Sequence, residues 1–259
     1  MKMKHLLTVI GLSFAAVSVQ ATESKELRIG TDATYEPFEY KTADGKLVGF
    51  EIDLANALCA EMKRRCVFVE SAWEGIVPSL LAKKYDMIIS GMTVTDDRKK
   101  TVSFSDKITD IPYRVIVKRG SGLDGSPAAL KGKKVGVLKG STEADFADKY
   151  YAKAGATVVR YGSTQDAYLD MTSGRVEAIL GNLVEMKSGF LNKPEGKPFE
   201  FSPYEMKDPV ILGYGTGAAI RKQDAKLRTE FNAAIQAIRA NGTYKKISDK
   251  YFDFDVYGK

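Results

Sequence analysis

Short apolar runs alternate along this chain with stretches whose apolar residues recur every three or four positions, the pattern of strands and amphipathic helices in an α/β fold. LRIGTD, beginning at Leu27, reads as a strand entering a polar loop, and residues 46–50 read as a second, shorter strand. Leu54, Ala57, Leu58 and Met62 then share one side of a helix over 53–62. A helix over 73–81, with Pro78 near its first turns, and a strand over 85–90 follow. In the second half KVGVLKGST again runs from a strand into a polar loop. Helices are predicted at 143–153, 224–240 and 242–251, and extended runs at 112–118 and 207–220.

The two halves echo each other. DMTSGRVEAILGN, 170–182, matches SLLAKKYDMIISG, 79–91, in one frame, which sets Asp86 on Glu177, Ile88 on Ile179 and Gly91 on Asn182. Each is a helix end, a basic residue, an acid, an apolar run and a small or polar exit, so two related α/β lobes are the simplest account. The extended runs at 112–118 and 207–220 are then candidates for strands that cross between lobes. The GYGTG inside the second run is not a dinucleotide fingerprint, because it lacks the last spaced glycine and leads into another apolar strand.

Residues 1–21 depart from this alternation. A basic start to His5, an apolar or small-residue run over 6–19 and Val19-Gln20-Ala21 form the layout that a signal peptidase reads. A membrane anchor needs about 20 apolar residues, and this run is shorter. The segment reads as a removable export signal, with a soluble mature chain starting near Thr22 outside the cytoplasm. The chain's one histidine leaves with it, which excludes histidine triads, histidine general bases and histidine-ligated metals. In an oxidising compartment the even pair Cys59 and Cys66 reads as a structural disulfide between a helix end and the run CVFVE. The competing reading, a redox or metal pair, lacks Cys-x-x-Cys spacing and a third ligand.

Composition changes little. At 44% hydrophobic and 28% charged the chain is ordinary for a globular protein, and its length suffices for one large or two medium domains. The formal charge of +6 drops by two, to about +4, when Lys2 and Lys4 leave. The remaining basic residues are scattered and not interleaved with aromatics, which argues against nucleic acid as a partner.

RIGTDATYEPFE, GFEIDLANALCAEM, VPSLLAKKYD, SGMTVTDDRK, LKGKKVGVLKGST and NGTYKKISDKYFDFDVYG together resemble, in order and over essentially the whole mature chain, a known family. It is that of the periplasmic polar amino-acid binding proteins, the family 3 solute receptors of ABC importers, and the likeness is strongest to the histidine and lysine/arginine/ornithine binding proteins. The resemblance implies a type II periplasmic-binding-protein fold hinged by two crossing strands, with lobe 1 at 22–109 plus 216–259 and lobe 2 at 110–215. It implies a monomeric periplasmic receptor, not an enzyme, with no cofactor or metal. Such a receptor closes on a small ligand and docks on an inner-membrane ABC permease.

Residue chemistry agrees with that expectation. Arg98 follows SGMTVTDD, whose first residues leave the 85–90 strand with N–H groups open to a cleft, and a guanidinium beside free N–H groups clamps a carboxylate. A surface arginine paired with Asp96 or Asp97 is the bland alternative. In the resembled family the matching arginine holds the ligand α-carboxylate, helped by positions matching Ser90, Gly91 and Thr93. Asp32 and Tyr35 lie in the loop after the first strand and Trp73 opens the helix after CVFVE, at the carboxyl ends of strands, where α/β ligands gather, and a carboxylate between aromatic faces suits a cationic side chain. Leu138, Ser141 and Thr142 bring backbone and hydroxyl donors from the second lobe, or cap the helix that follows.

Asn182 stands where the resembled subgroup has an acid for the α-ammonium, and Gly91 where it has a serine. Glu143 or Glu185 are the candidates to compensate, and an opine with an acid-bearing α-nitrogen is the alternative to a cationic amino acid of the arginine, lysine, ornithine or histidine class. From another class altogether, a periplasmic dehydratase on the same scaffold would use Glu143 or Glu185 as a general acid.

Overall fold

A computed structural model of the protein describes residues 25–258; the export signal read at 1–21 lies outside the described residues. The first half comprises β1 (Glu26–Thr31), β2 (Thr34–Tyr35), β3 (Glu39–Lys41), β4 (Leu47–Val48), α1 (Phe50–Glu61), β5 (Arg65–Glu70), α2 (Trp73–Leu81), β6 (Met87–Ile88), α3 (Asp96–Lys99) and β7 (Ser103–Phe104). The chain then builds β8 (Tyr113–Lys118), β9 (Lys134–Leu138), α4 (Thr142–Phe146), β10 (Thr157–Tyr161), α5 (Thr164–Thr172), β11 (Ala178–Asn182), α6 (Leu183–Met186), β12 (Phe199–Glu205) and α7 (Pro209–Leu212). It returns through β13 (Ala219–Ile220) and ends in α8 (Ala225–Ala240) and α9 (Thr243–Tyr251).

Two five-stranded sheets result, in the orders β5-β1-β6-β13-β7 and β10-β9-β11-β8-β12, with β2-β3-β4 as a small third sheet. In each large sheet one strand runs parallel to both of its neighbours, β1 to β5 and β6, β9 to β10 and β11. Parallel strands need both faces covered, and both are. In the first half Leu27 and Ile29 pack with Leu54, Leu58, Phe231 and Ile235 on one face, while Ile76, Leu80 and Tyr85 close on Ile88 and Ala219 from the other. In the second half Val135 and Val137 meet Phe146 and Tyr151, and Ile179 meets Tyr168 and Phe190.

The repeat read in the sequence has a structural counterpart. Asp86 accepts the Arg28 N–H at 3.0 Å and Glu177 accepts the Lys134 N–H at 2.8 Å, so each acid ties the strand it precedes, β6 or β11, to the parallel neighbour β1 or β9. The disulfide Cys59–Cys66 joins the last turn of α1 to β5, as expected.

Local differences have local causes. Helix α1 starts at Phe50, not 53, because Gly49, at φ +131, breaks the chain just before it and its carbonyl takes the Asp53 N–H at 3.0 Å. The helix expected over 143–153 holds as α4 and then widens into a π-helical turn at Ala147–Ala152. The run at 207–220 is not extended throughout: Asp208 caps α7 by accepting the Val210 and Ile211 N–H groups, with Pro209 at the first helical position. The strand formed by the run at 112–118 lies wholly in the second sheet. The two crossings touch instead at an isolated antiparallel bridge, where Thr216 N–H donates to the Thr109 carbonyl at 2.7 Å. Gly215, at φ +83, is required there, since a Cβ would sit 2.4 Å from the Thr109 carbonyl oxygen.

Candidate functional site

Between the halves lies a cavity, with about 470 Å³ of space free of protein atoms when the part open to solvent is included, walled from the first by Asp32, Tyr35, Trp73, Ser90, Gly91, Thr93 and Arg98, and from the second by Leu138, Ser141, Thr142 and Glu143. Thr34, Glu39, Tyr113 and Thr164 complete the wall. Sequence reading had not singled these four out. Glu39 at least stands inside RIGTDATYEPFE; Tyr113 and Thr164 carry no local signal, because only the packing of the two halves brings them there.

The short helix α3 aims Arg98 inward. Thr95 caps it by accepting the Arg98 N–H at 3.1 Å. Asp96 and Asp97 pair with Lys99 and Lys100, each at 3.0 Å, so neither acid holds the arginine on the surface. The guanidinium donates to the Thr93 carbonyl at 3.0 Å and to the Gly140 carbonyl at 3.2 Å, and lies 5.5 Å from the centre of the Trp73 ring. It therefore spans both halves of the molecule.

Two of the N–H groups that follow the strand beside it have protein partners. Gly91 N–H donates to Glu51 Oε2 at 2.8 Å, and Val94 N–H to the Gly215 carbonyl at 2.8 Å. The Ser90 hydroxyl accepts the Asp32 N–H at 2.9 Å and donates to Glu39 Oε1 at 2.9 Å. Ser90 and Gly91 thus form the cavity floor with the Ser90 hydroxyl and the Gly91 N–H already used. Thr93 shares a 2.5 Å hydrogen bond with the Tyr113 hydroxyl. Gly91 has a backbone reason to be glycine: its φ is +56, and a Cβ would sit 3.3 Å from the Tyr35 ring.

Asp32 is held by its neighbours with its charge half-exposed. Its Oδ2 accepts the Trp73 N–H at 3.0 Å and its Oδ1 accepts the Thr34 hydroxyl at 2.7 Å. That fixes a carboxylate beside two aromatic rings. From the second half, Ser141 caps α4 by accepting the Ala144 N–H at 3.1 Å, and Thr142 donates to Glu143 Oε2 at 3.1 Å. Glu143 is buried, and desolvation pushes its carboxyl above the ordinary range, partly offset by hydrogen bonds and by Arg98.

Asn182 is separate. It lines a smaller adjoining cavity with Glu143, Tyr35 and Glu185, and its side-chain oxygen caps α6, accepting the Val184 and Glu185 N–H groups at 2.9 and 3.2 Å. Glu185 is likewise engaged, accepting from Thr164 at 3.0 Å and Tyr168 at 2.6 Å, and burial pushes its carboxyl up to about 7. At this corner Glu143 is the acid that also faces the main cavity.

Residues 27–254 match the family described as bacterial extracellular solute-binding proteins, family 3. The chain is 46% identical to an L-arginine-binding protein of Pseudomonas aeruginosa, over 100% of this chain and 99% of that one. It is 43% identical to a histidine-binding periplasmic protein of Salmonella typhimurium over 96% of both. Among solved structures, a Salmonella typhimurium periplasmic binding protein described for its high arginine specificity superposes with a TM-score of 0.82 at 35% identity, covering 88% of this chain and 100% of that one.

Proposed function

The chain belongs to the bacterial extracellular solute-binding proteins of family 3, and from that premise we propose that it is a periplasmic receptor for a cationic amino acid, which it delivers to an ABC permease of the inner membrane. Lobe 1 is taken as 22–109 plus 216–259 and lobe 2 as 110–215, working as a monomer by closure around the ligand. The observation that carries the reading is the charge inventory of the cavity: one arginine, Arg98, against the carboxyls Asp32 and Glu143, with a third, Glu39, engaged by the Ser90 hydroxyl at the floor. A cationic amino acid presents the complement, one carboxylate and two cations. Arg98 takes the α-carboxylate in two-pronged fashion. Asp32, flanked by Tyr35 and Trp73, takes the side-chain cation, each ring adding roughly 1 kcal/mol. Glu143 takes the α-ammonium, in place of Asn182, whose oxygen is spent on capping α6.

Ligand contacts from both halves are what make closure favourable, since a ligand shifts a conformational equilibrium only by its differential contacts. No bond need be made or broken, and the relatives named above are binding proteins. The test is calorimetry on protein unfolded, stripped of ligand and refolded, against arginine, lysine, ornithine, histidine, glutamine, glutamate and a guanidino opine. Arginine should bind tightest, because two aromatic rings and a carboxylate suit a flat cation. Tighter binding of glutamine or glutamate would overturn the proposal.

A further inference from the structure

Below the cavity floor lies a pair of acids that direct ligand contact does not account for. Glu39 on β3 and Glu51 in the first turn of α1 are 0% and 1% exposed. Glu39 Oε1 accepts the Ser90 hydroxyl and Glu51 Oε2 accepts the Gly91 N–H, so the pair grips two consecutive residues of the floor. Glu39 Oε2 is buried with no hydrogen-bond partner, and the two carboxyls, fixed to consecutive residues of the chain, are close enough for each to perturb the other. Two ionised carboxylates cannot hydrogen-bond; a proton on one resolves both the orphan oxygen and the like-charge contact. Burial and the neighbouring Glu51 push Glu39 well above the carboxylate range, which places the proton on Glu39. Glu51, for which burial is partly offset by the Gly91 N–H and by Glu39, titrates at about 7. The other titratable groups facing the pair are Asp32, from the loop after β1, and Tyr244, from α9.

We propose that Glu39 and Glu51 are a proton-sharing carboxyl pair that positions Ser90 and Gly91 and couples entry of a cationic ligand to loss of a proton from the pair. The coupling rests on the cationic-ligand reading above; the shared proton does not. With one proton the pair carries a negative charge beneath a cavity that Glu39 itself helps to wall. A cation in the cavity favours that charged form and expels the second proton, and by reciprocity affinity rises with pH across the interval where Glu51 titrates. A decrease of one pKa unit on binding corresponds to an affinity gain of about tenfold across that interval.

Two measurements test this. In ligand-free protein with 13C-labelled glutamate carboxyls, a glutamate should titrate near pH 7 and vanish from the spectrum of Glu51→Gln, while Glu39→Gln, which retains a neutral donor, should leave it near pH 7. If no signal removed by Glu51→Gln titrates between pH 6 and 8, the pair is overturned whatever the ligand. Calorimetry of arginine binding at pH 7 in phosphate and in Tris should reveal release of a fraction of a proton in the wild-type protein, lost in Glu51→Gln and kept in Glu185→Gln. Binding without release, or release that follows Glu185, overturns the coupling while sparing the function. Failure of every cationic amino acid to bind at any pH removes the coupling and the function together, and the carboxyl titration then stands or falls alone.

Discussion

Replacing Arg98 tests whether this side chain clamps a carboxylate. Its guanidinium now makes hydrogen bonds of 3.0 and 3.2 Å to carbonyls of Thr93 and Gly140, one in each half, which leaves further N–H donors of its five for a ligand. A charged hydrogen bond contributes about 1.5–3 kcal/mol, so two to the same carboxylate amount to roughly 3–5 kcal/mol after overlap. Arg98→Ala should therefore weaken arginine binding about a hundredfold to several thousandfold. Arg98→Lys keeps the charge and loses the fork; it should lose about 2 kcal/mol, near thirtyfold. Isothermal calorimetry on stripped, refolded protein measures both. Thermal unfolding supplies the control, because Arg98 contributes no side chain to either sheet's apolar core and the ligand-free melting temperature should hardly move. An Arg98→Ala affinity within threefold of wild type would refute the clamp. Equal losses for Lys and Ala would show that the fork, and not the charge, carries the contact.

Three further outcomes are expected. Glu143→Gln should weaken binding of a cationic amino acid tenfold or more by removing the acid assigned to the α-ammonium, and adding Asn182→Asp, which preserves the α6 cap, should recover part of the loss; unchanged affinity in the single variant rejects the assignment. Reducing Cys59–Cys66, a link spanning a sequence separation of 7, should cost about 2.5 kcal/mol by loop-closure arithmetic and lower the melting temperature by roughly 5–10 °C, leaving ligand ranking intact; a melting temperature unmoved by reductant contradicts this. Glu185, raised from an ordinary 4.5 to about 7, keeps in the folded state a proton that the unfolded chain has lost over that window. Stability should therefore fall as pH climbs from 4.5 to 7, by up to about 3 kcal/mol for this group. In urea titrations at pH 5, 6 and 7, Glu185→Gln should flatten that fall, and an unaltered slope would show that the carboxyl is not desolvated.

What the sequence disclosed and what it withheld divide along a physical line. The frame that sets Asp86 on Glu177 was legible because a strand-preceding acid and its apolar run are contiguous, and in the structure both acids accept an N–H from the neighbouring parallel strand, β1 or β9, in the same way. Arg98, Asp32, Trp73 and Glu143 were legible as charge and ring types just beyond strand ends, in a loop or the first turn of a helix, and one cavity gathers them. Whether a polar group is available to a ligand is a different property. Ser90 is committed to Glu39 across a sequence separation of 51, and Gly91 to Glu51 across 40; no local pattern encodes those partners. Asn182 is the instructive case. Aligned by the repeat with Gly91, it looks like a ligand position that has lost its acid, yet its oxygen satisfies two N–H groups at the start of α6, which an aspartate would satisfy equally well. Capping therefore accounts for a polar side chain at 182 but not for the missing charge. That charge has to be sought among neighbours with acceptor capacity to spare, and Glu185, with both oxygens engaged, leaves Glu143 as the residue on which the ligand's second cation depends.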